Sequence, residues 1–378
     1  MPQYLWEAQN WPDFNWKSEL IIQRLASARK RQGRFLQEME SLGFEDGLRA
    51  CAIAVEEDVI QTAAIEGEKL DREGVRSSVA LRLGLPAAGL RPADKDVDGL
   101  VDVLLDATHN HAQPLTKERL CGWHSALFTS GRSSFLDIIT GAWRNTPMQV
   151  ISGPYGRRRV HFVAPPPERI ESEMDVFFSW WDDSRKKADG IIRAALAHLY
   201  FVTIHPFDDG NGRLARTITD MALAQDEGLR RRYYSLSARI MQERNAYYDS
   251  LEKTQCGDGD CTEWLLWFIK CFDHALETAE AALRAILLKA AFWKRHAETN
   301  VNERQRKALN RLLDVGKDGF EGGLSTRKYA GMTRVSRATA WRKIEDMLQK
   351  NMIVPLPGGG RSQTYEIKWE SECPLSKR

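Results

Sequence analysis

Two helical patterns meet at HPFDDGNGRLAR, residues 205–216, and no other stretch of this 378-residue chain limits its fold so sharply. The incoming pattern, ADGIIRAALAHLYFVTI (188–204), must stop at His205-Pro206, because proline lacks an amide donor and disfavours helical geometry in the residue before it. Asp209-Gly210-Asn211-Gly212 then forms a turn in which glycine allows backbone angles closed to other residues. The outgoing helix carries Leu214, Ile218 and Met221 at core spacing, while Arg213 and Arg216 share a different face. The amides of Gly210, Asn211 and Gly212 therefore fall at a helix N-terminus, where free N–H groups and the macrodipole make an anion site suited to phosphate.

The neighbouring side chains extend that chemistry. Arg213 and Arg216 can clamp a polyphosphate with fork-like hydrogen bonds. Asp209 supplies a hard oxygen ligand for a Mg²⁺ that keeps waters and bridges phosphates. His205 is the candidate base, since imidazole titrates near neutrality and can take a hydroxyl proton as that oxygen attacks phosphorus. An EF-hand is excluded: with Asp209 at loop position 3, position 1 would be Phe207 and position 12 Ile218, neither of which binds calcium through its side chain.

The length and 43% hydrophobic content predict two or three folding units. The 54 basic and 52 acidic residues nearly cancel, which argues against a surface wholly given to nucleic acid or membrane and leaves only local basic patches. The start, MPQYLWEAQNWPDFNW, has no leader pattern and no apolar run is long enough to span a bilayer, so a cytoplasmic protein is expected. Six scattered cysteines (Cys51, Cys121, Cys256, Cys261, Cys271 and Cys373) without C-x-x-C pairs fit reduced thiols. Cys256 and Cys261 form half of a metal site at most, with no second Cys or His pair at ligand spacing.

Helical spacing runs from Trp16 to about Leu83, and a Pro/Gly-rich connector follows at 84–95. Residues 144–167 place two β-prone runs, MQVIS and RVHFV, around a Gly-Pro-Tyr-Gly turn and predict an exposed hairpin. Helices are expected again at 168–185 and 188–204, and then over Trp264–His296. From Asn302 the order helix, helix, tight turn, helix and two strands around a glycine-rich stretch predicts a winged helix-turn-helix.

HPFDDGNGRLAR matches every fixed position of HxFx(D/E)GNGRxxR, and on this motif the chain resembles the Fic-domain adenylyltransferases. The resemblance implies a mainly α fold: a Fic-type helical bundle at 91–298 with a short β-hairpin flap, a helical N-terminal unit at 1–90 and a winged helix-turn-helix at 299–378. It implies transfer of AMP from ATP to a Ser, Thr or Tyr hydroxyl of a target protein, or of the enzyme itself, with release of pyrophosphate. His205 would be the base and Asp209 the Mg²⁺ ligand. Gly210, Asn211 and Gly212 would form the anion hole, and Arg213 and Arg216 would hold the outer phosphates. Val150, Ile151 and Ser152 would lie on a flap that pairs with an extended target segment, and Tyr247 and Tyr248 would line the base pocket.

TAAIEG, residues 62–67, fits a second family pattern, the inhibitory helix Ser/Thr-x-x-x-Glu-Gly/Asn. Thr62 and Glu66 are one helical turn apart and Gly67 ends the helix. The resemblance implies that Glu66 pairs with Arg216 and sets ATP in an unproductive pose. In some relatives the same glutamate orients a water that removes AMP, so deadenylylation is a second expected activity.

Arg334, Arg337, Arg342 and Lys343 lie on or beside the expected recognition helix, with Arg361 in the wing, so DNA is a candidate partner of the tail. Against them stand Glu345 and Asp346, and winged helices also dock proteins or form homodimers. A rival reading is a DNA-binding regulator whose Fic unit only senses nucleotide. His205 weighs against it, because binding ATP needs no base.

Overall fold

The computed structural model describes residues 3–86, 89, 91–133, 136–152, 159–316, 320, 322–357 and 363–369. The chain is mainly helical and folds into two compact units, Met1–Ala279 and Glu280–Arg378.

The first unit opens with α1 (Ser18–Glu40), α2 (Phe44–Ile65) and α3 (Arg72–Arg82), and continues with α4 (Lys95–His109) and α5 (Lys117–Leu127). Two antiparallel pairs follow, β1 (Arg132–Ser133) with β2 (Leu136–Asp137) and β3 (Gln149–Ser152) with β4 (Arg159–Val163). Then come α6 (Ile170–Ser184), α7 (Gly190–Ile204), α8 (Asn211–Glu227), α9 (Leu236–Gln242), α10 (Arg244–Gln255) and the start of α11 (Thr262–Arg295). The β1–β2 pair was not expected, since two residues per strand carry no alternation to read.

Every residue of α7 from Ile191 to Ile204 is buried. A helix apolar on all faces must be enclosed, and at fifteen residues it is too short to span a bilayer. Among the described residues no helix is long and apolar enough to cross a membrane. Asp189 caps α7 by accepting from the amides of Ile191 (2.9 Å) and Ile192 (3.3 Å). α7 packs along α8, whose Leu214, Ile218 and Met221 are fully buried. This pair is the rod on which the 205–210 turn is mounted.

α2 lies against α9 and α8. Its buried Asp58 accepts from the Ser235 hydroxyl (2.5 Å) and the Ser237 amide (3.2 Å), which fixes the helix that carries Thr62 and Glu66. α4 and α5 approach closely at Gly99, where a Cβ would stand 1.8 Å from the Ala126 carbonyl oxygen. Gly99→Ala should therefore force the two helices apart and cost about 1–3 kcal/mol, read as a lower urea midpoint. An unchanged midpoint would contradict that close approach.

In the β3–β4 hairpin Val150 opposes Phe162 and Ile151 opposes Val160, with a register shift between Val150 and Ile151. Phe162 packs edge-on against Tyr4, with centroids 5.3 Å apart, and anchors the hairpin, while Ile151 and Val160 are exposed. The Gly-Pro-Tyr-Gly turn lies outside the described residues.

The second unit holds α12 (Glu303–Val315), α13 (Thr326–Thr333), α14 (Arg337–Gln349) and an antiparallel pair, β5 (Ile353–Pro355) with β6 (Tyr365–Ile367). Asn302, Ser325 and Ser336 cap the three helices. Leu309, Leu313, Ala340, Ile344 and Met347 form the core, and Leu324 bridges to Tyr365. Arg337, Trp341 and Arg342 face outward from α14. Arg361 lies outside the described residues.

Candidate active site

His205 closes α7 in left-handed geometry, φ 53° and ψ 58°. A non-glycine residue holds such angles only where its surroundings over-determine them, and Arg144 supplies the constraint. This buried side chain donates to the carbonyls of His205 (2.8 Å), Thr146 (2.7 Å) and Pro165 (2.6 Å), and its amide donates to the Pro206 carbonyl (2.9 Å). The imidazole Nδ1 lies 3.1 Å from the Val202 carbonyl, so Nδ1 carries the proton and Nε2 presents a lone pair. Burial lowers the pKa of His205, with the Arg144 charge acting in the same direction, so the ring stays neutral near pH 7.

Asn211 braces the turn rather than only lending its amide: its side chain accepts from the Phe207 amide (3.0 Å) and donates to the Phe207 carbonyl (2.8 Å). Gly210 is left-handed, φ 77°, and a Cβ there would meet the Phe128 ring at 2.8 Å. Asp209 accepts from the Gly210 amide (2.6 Å) and from the Ser133 hydroxyl. Its carbonyl accepts from His124 Nε2 at 3.2 Å, while Nδ1 of the same ring takes the Gly141 amide at 3.1 Å. His124 stacks on Phe207 with centroids 4.1 Å apart, and burial pushes its pKa down to about 4.

Both motif arginines are engaged by the end of α2. Arg216 Nη2 donates to Glu66 Oε1 (2.7 Å) and to the Thr62 carbonyl (3.1 Å), and Nε donates to the Thr62 hydroxyl (2.6 Å). Burial disfavours the Arg216 charge, but the Glu66 carboxylate together with the nearby Tyr247 and Tyr248 favours it, and the pKa is raised. A Cβ on Gly212 would lie 2.2 Å from Glu66 Oε1, so the carboxylate stands directly over the first turn of α8. An anion thus already sits at that helix N-terminus. Gly67, φ 87°, turns the chain so that Glu68 Oε2 reaches Arg213 Nη1 at 3.2 Å, while the guanidinium lies over Phe128. Arg244 on α10 donates to the Ile65 carbonyl (2.8 Å) and clamps the end of α2 from the other side.

Beside this cluster lies a cleft of about 520 Å³. Glu66, His205 and Gly212 form one wall, Tyr247 and Tyr248 another, and Val150 and Ile151 border it from the hairpin. Ser152 continues β3 opposite Arg159. Tyr247 is buried, whereas Tyr248 is 36% exposed and stands nearer solvent. Glu252 on α10 bonds Arg159 and His161 of β4 and ties the hairpin to the cleft, with His161 Nδ1 at 2.6 Å. Among the described residues no three His, Cys, Asp or Glu side chains gather to hold a metal, the neighbourhoods of Cys256 and Cys261 included.

Arg144, His124, Glu68 and Arg244 escaped the sequence reading. Only Glu68, two residues past Glu66 in EGEK, had a local signal, a second carboxylate beyond the turn glycine. Burial also holds His198 neutral, with a pKa of about 3. For His124 and His198 the unfolded chain binds protons more readily than the folded one, so stability is fully present above pH ~6.5 and falls as the pH drops toward 4. His124 alone should contribute on the order of 3 kcal/mol to that loss, and His124→Asn should flatten the slope in urea melts between pH 7.5 and 4.5.

Residues 114–223 match the Fic/DOC family, and residues 4–85 match a domain of unknown function, DUF4172. The chain is 26% identical over 238 residues to protein adenylyltransferase Fic of Nematostella vectensis, covering 61% of this chain and 49% of that one. It is 44% identical over 125 residues to uridine 5'-monophosphate transferase of Xanthomonas campestris pv. campestris (strain 8004), covering 31% of this chain and 22% of that one. It therefore spans about half or less of these relatives' length. A Fic family protein from Desulfovibrio desulfuricans G20 shares the fold with a TM-score of 0.56 at 19% identity, over 96% of this chain and all of that one.

Proposed function

We propose that this chain, which carries a Fic domain at residues 114–223, is a protein adenylyltransferase held back by its own α2. The observation that carries the reading is the Glu66 carboxylate lying over Gly212 and on Arg216, beside a neutral His205. A carboxylate there occupies what the motif chemistry offers to a phosphate. Once Glu66 withdraws, the first turn of α8 and the two guanidinium groups receive a triphosphate. His205 Nε2 takes the proton of a target Ser, Thr or Tyr hydroxyl. The new bond forms between that oxygen and the α-phosphorus, the bond to the β-phosphate oxygen breaks, and pyrophosphate leaves.

Asp209 fits a Mg²⁺ bound chiefly through phosphates and water, because such an ion needs only one or two protein carboxylates. When bound it would neutralise phosphate charge. The exposed edge of β3 at Val150–Ser152 suits an extended target segment, whose backbone bonds would hold the hydroxyl toward His205. Glu66 could also orient a water for AMP removal, tested by incubating an AMP-bearing target with the wild type; full retention would reject it. Free thiols suit a reducing cytoplasm. The outward Arg337, Trp341 and Arg342 of α14 suit duplex DNA, and salt-independent or absent duplex binding would reject that role.

The deciding experiment labels with ATP and, separately, UTP radioactive at the α-phosphate, because one relative is named for UMP transfer. Wild type, Glu66→Gly and Glu66→Gly/His205→Ala are compared. Label from ATP that rises in the single variant and vanishes in the double supports the proposal. Label from UTP alone would replace the nucleotide. No label on lysate proteins or on the chain itself would favour the nucleotide-sensing regulator. Within the same assay Glu68→Gln should raise labelling about two- to fivefold, less than Glu66→Gly, because Glu68 is 44% exposed and its pair is solvent-screened.

A further inference from the structure

The peptide that joins Asp209 to Gly210 is gripped at both ends. Its carbonyl oxygen lies 3.2 Å from His124 Nε2, and its N–H donates to Asp209 Oδ1 at 2.6 Å. The other carboxylate oxygen, Oδ2, accepts from the Ser133 hydroxyl on β1. Gly210 sits at φ 77°, and glycine passes between left- and right-handed geometry at little cost, so this planar unit is free to flip unless other groups hold it. His124 is the group in place to do so. It is fully buried on α5 and stacked on Phe207 with the rings 5° from parallel. Its Nδ1 lies 3.1 Å from the Gly141 amide. A backbone amide can only donate, so Nδ1 accepts and carries no proton. The ring's one proton is therefore on Nε2, which donates to the Asp209 carbonyl. Position 141 admits only glycine this close to α5, since at φ 71° a Cβ would stand 2.4 Å from Ser125 Oγ.

We propose that His124 is a positioning residue for Asp209. Fixed as its Nε2–H tautomer by Gly141, it locks the Asp209–Gly210 peptide, whose N–H in turn holds Oδ1 while Ser133 holds Oδ2. A carboxylate oxygen that accepts one hydrogen bond keeps a second lone pair, so the carboxylate is aimed without being used up. The inference rests on the reading of Asp209 as the Mg²⁺ ligand. Without the Nε2 donor the peptide plane turns, the Gly210 N–H leaves Oδ1, and the ligand loses its direction.

The test uses the full chain carrying Glu66→Gly. Calorimetry gives ATP affinity in Mg²⁺ and in EDTA, and the ratio of the two is the gain supplied by the metal. His124→Asn places an oxygen near the Nδ1 position but no donor at Nε2, whereas His124→Gln keeps an N–H donor there. His124→Asn should cut the gain about tenfold, while His124→Gln should stay within about threefold of the parent. Both variants lose the stack on Phe207, so equal losses would mean a packing role only and would overturn the lock. If both fail to fold, histidine ¹⁵N NMR of the parent chain reads the tautomer directly: the Nε2–H form is expected, and the Nδ1–H form would overturn the lock. Asp209→Asn separates the two readings and should abolish the gain. If Asp209→Asn keeps it, Asp209 holds no metal and the lock falls with that reading; if Asp209→Asn abolishes it but His124→Asn does not reduce it, only the lock falls.

Discussion

Glu66→Gly is expected to raise nucleotidyl transfer about ten- to a hundredfold under saturating Mg-ATP. The substitution removes a charge-assisted hydrogen bond to an arginine that is only 2% exposed, and such bonds contribute about 1.5–3 kcal/mol. That energy favours the arrangement with Glu66 on Arg216, proposed to be the inhibited one, and each ~1.4 kcal/mol removed is a tenfold gain in the fraction without that pair. The same change carries a cost. Arg216 is left buried with Thr62 as its partner, and the nucleotide-free variant should be less stable by about 1–3 kcal/mol in urea melts. Mg-ATP should restore that deficit, so the nucleotide-induced rise in melting temperature should be larger in Glu66→Gly than in the wild type. Equal transfer rates for the two proteins would reject the brake, whatever their stabilities.

His205→Ala in the Glu66→Gly background should lower transfer by about 10²–10⁴, the range for a positioned general base. Binding of Mg-ATP should change little, since the groups proposed to hold phosphate lie on α8. The pH profile follows from the direction of the His205 shift. Only the neutral ring can take a proton, and burial lowers its pKa below the ordinary histidine value. Activity should therefore stay flat from pH 8 to about 6.5 and fall only below it. A limb at or above pH 7 would show that another group governs proton transfer. Arg144 offers a check on the geometry: Arg144→Lys cannot reach three carbonyls at once, and should lower kcat without raising KM for ATP by a comparable factor.

Some of this was legible in the chain. Pro206 and the left-handed Gly210 separate α7 from α8, and the turn between them follows from local backbone rules; Gly212 already lies in the first turn of α8. The hairpin was readable from β-prone runs on either side of a turn. β1 and β2 were not, because two-residue strands carry no period. Glu66 could be read as the residue one turn after Thr62, but its pairing with Arg216 joins residues 150 positions apart. Arg144 and Arg244 act on backbone carbonyls 61 and 179 residues distant, and nothing in composition or periodicity marks a side chain bound for a carbonyl.

The helical class, the breaks between elements and the inventory of chemistry at 205–216 follow from the order of residues alone, because they depend on dihedral preferences, spacing and functional groups within a few positions. Which of those groups are free depends on how the helices pack. Setting α2 onto α8 places one carboxylate on Arg216 and a second on Arg213, and burial with one carbonyl partner gives His205 its neutral, outward-facing nitrogen. A charge or a proton is assigned by desolvation and by the nearest partner in space, and those partners come from chain segments that local rules do not connect.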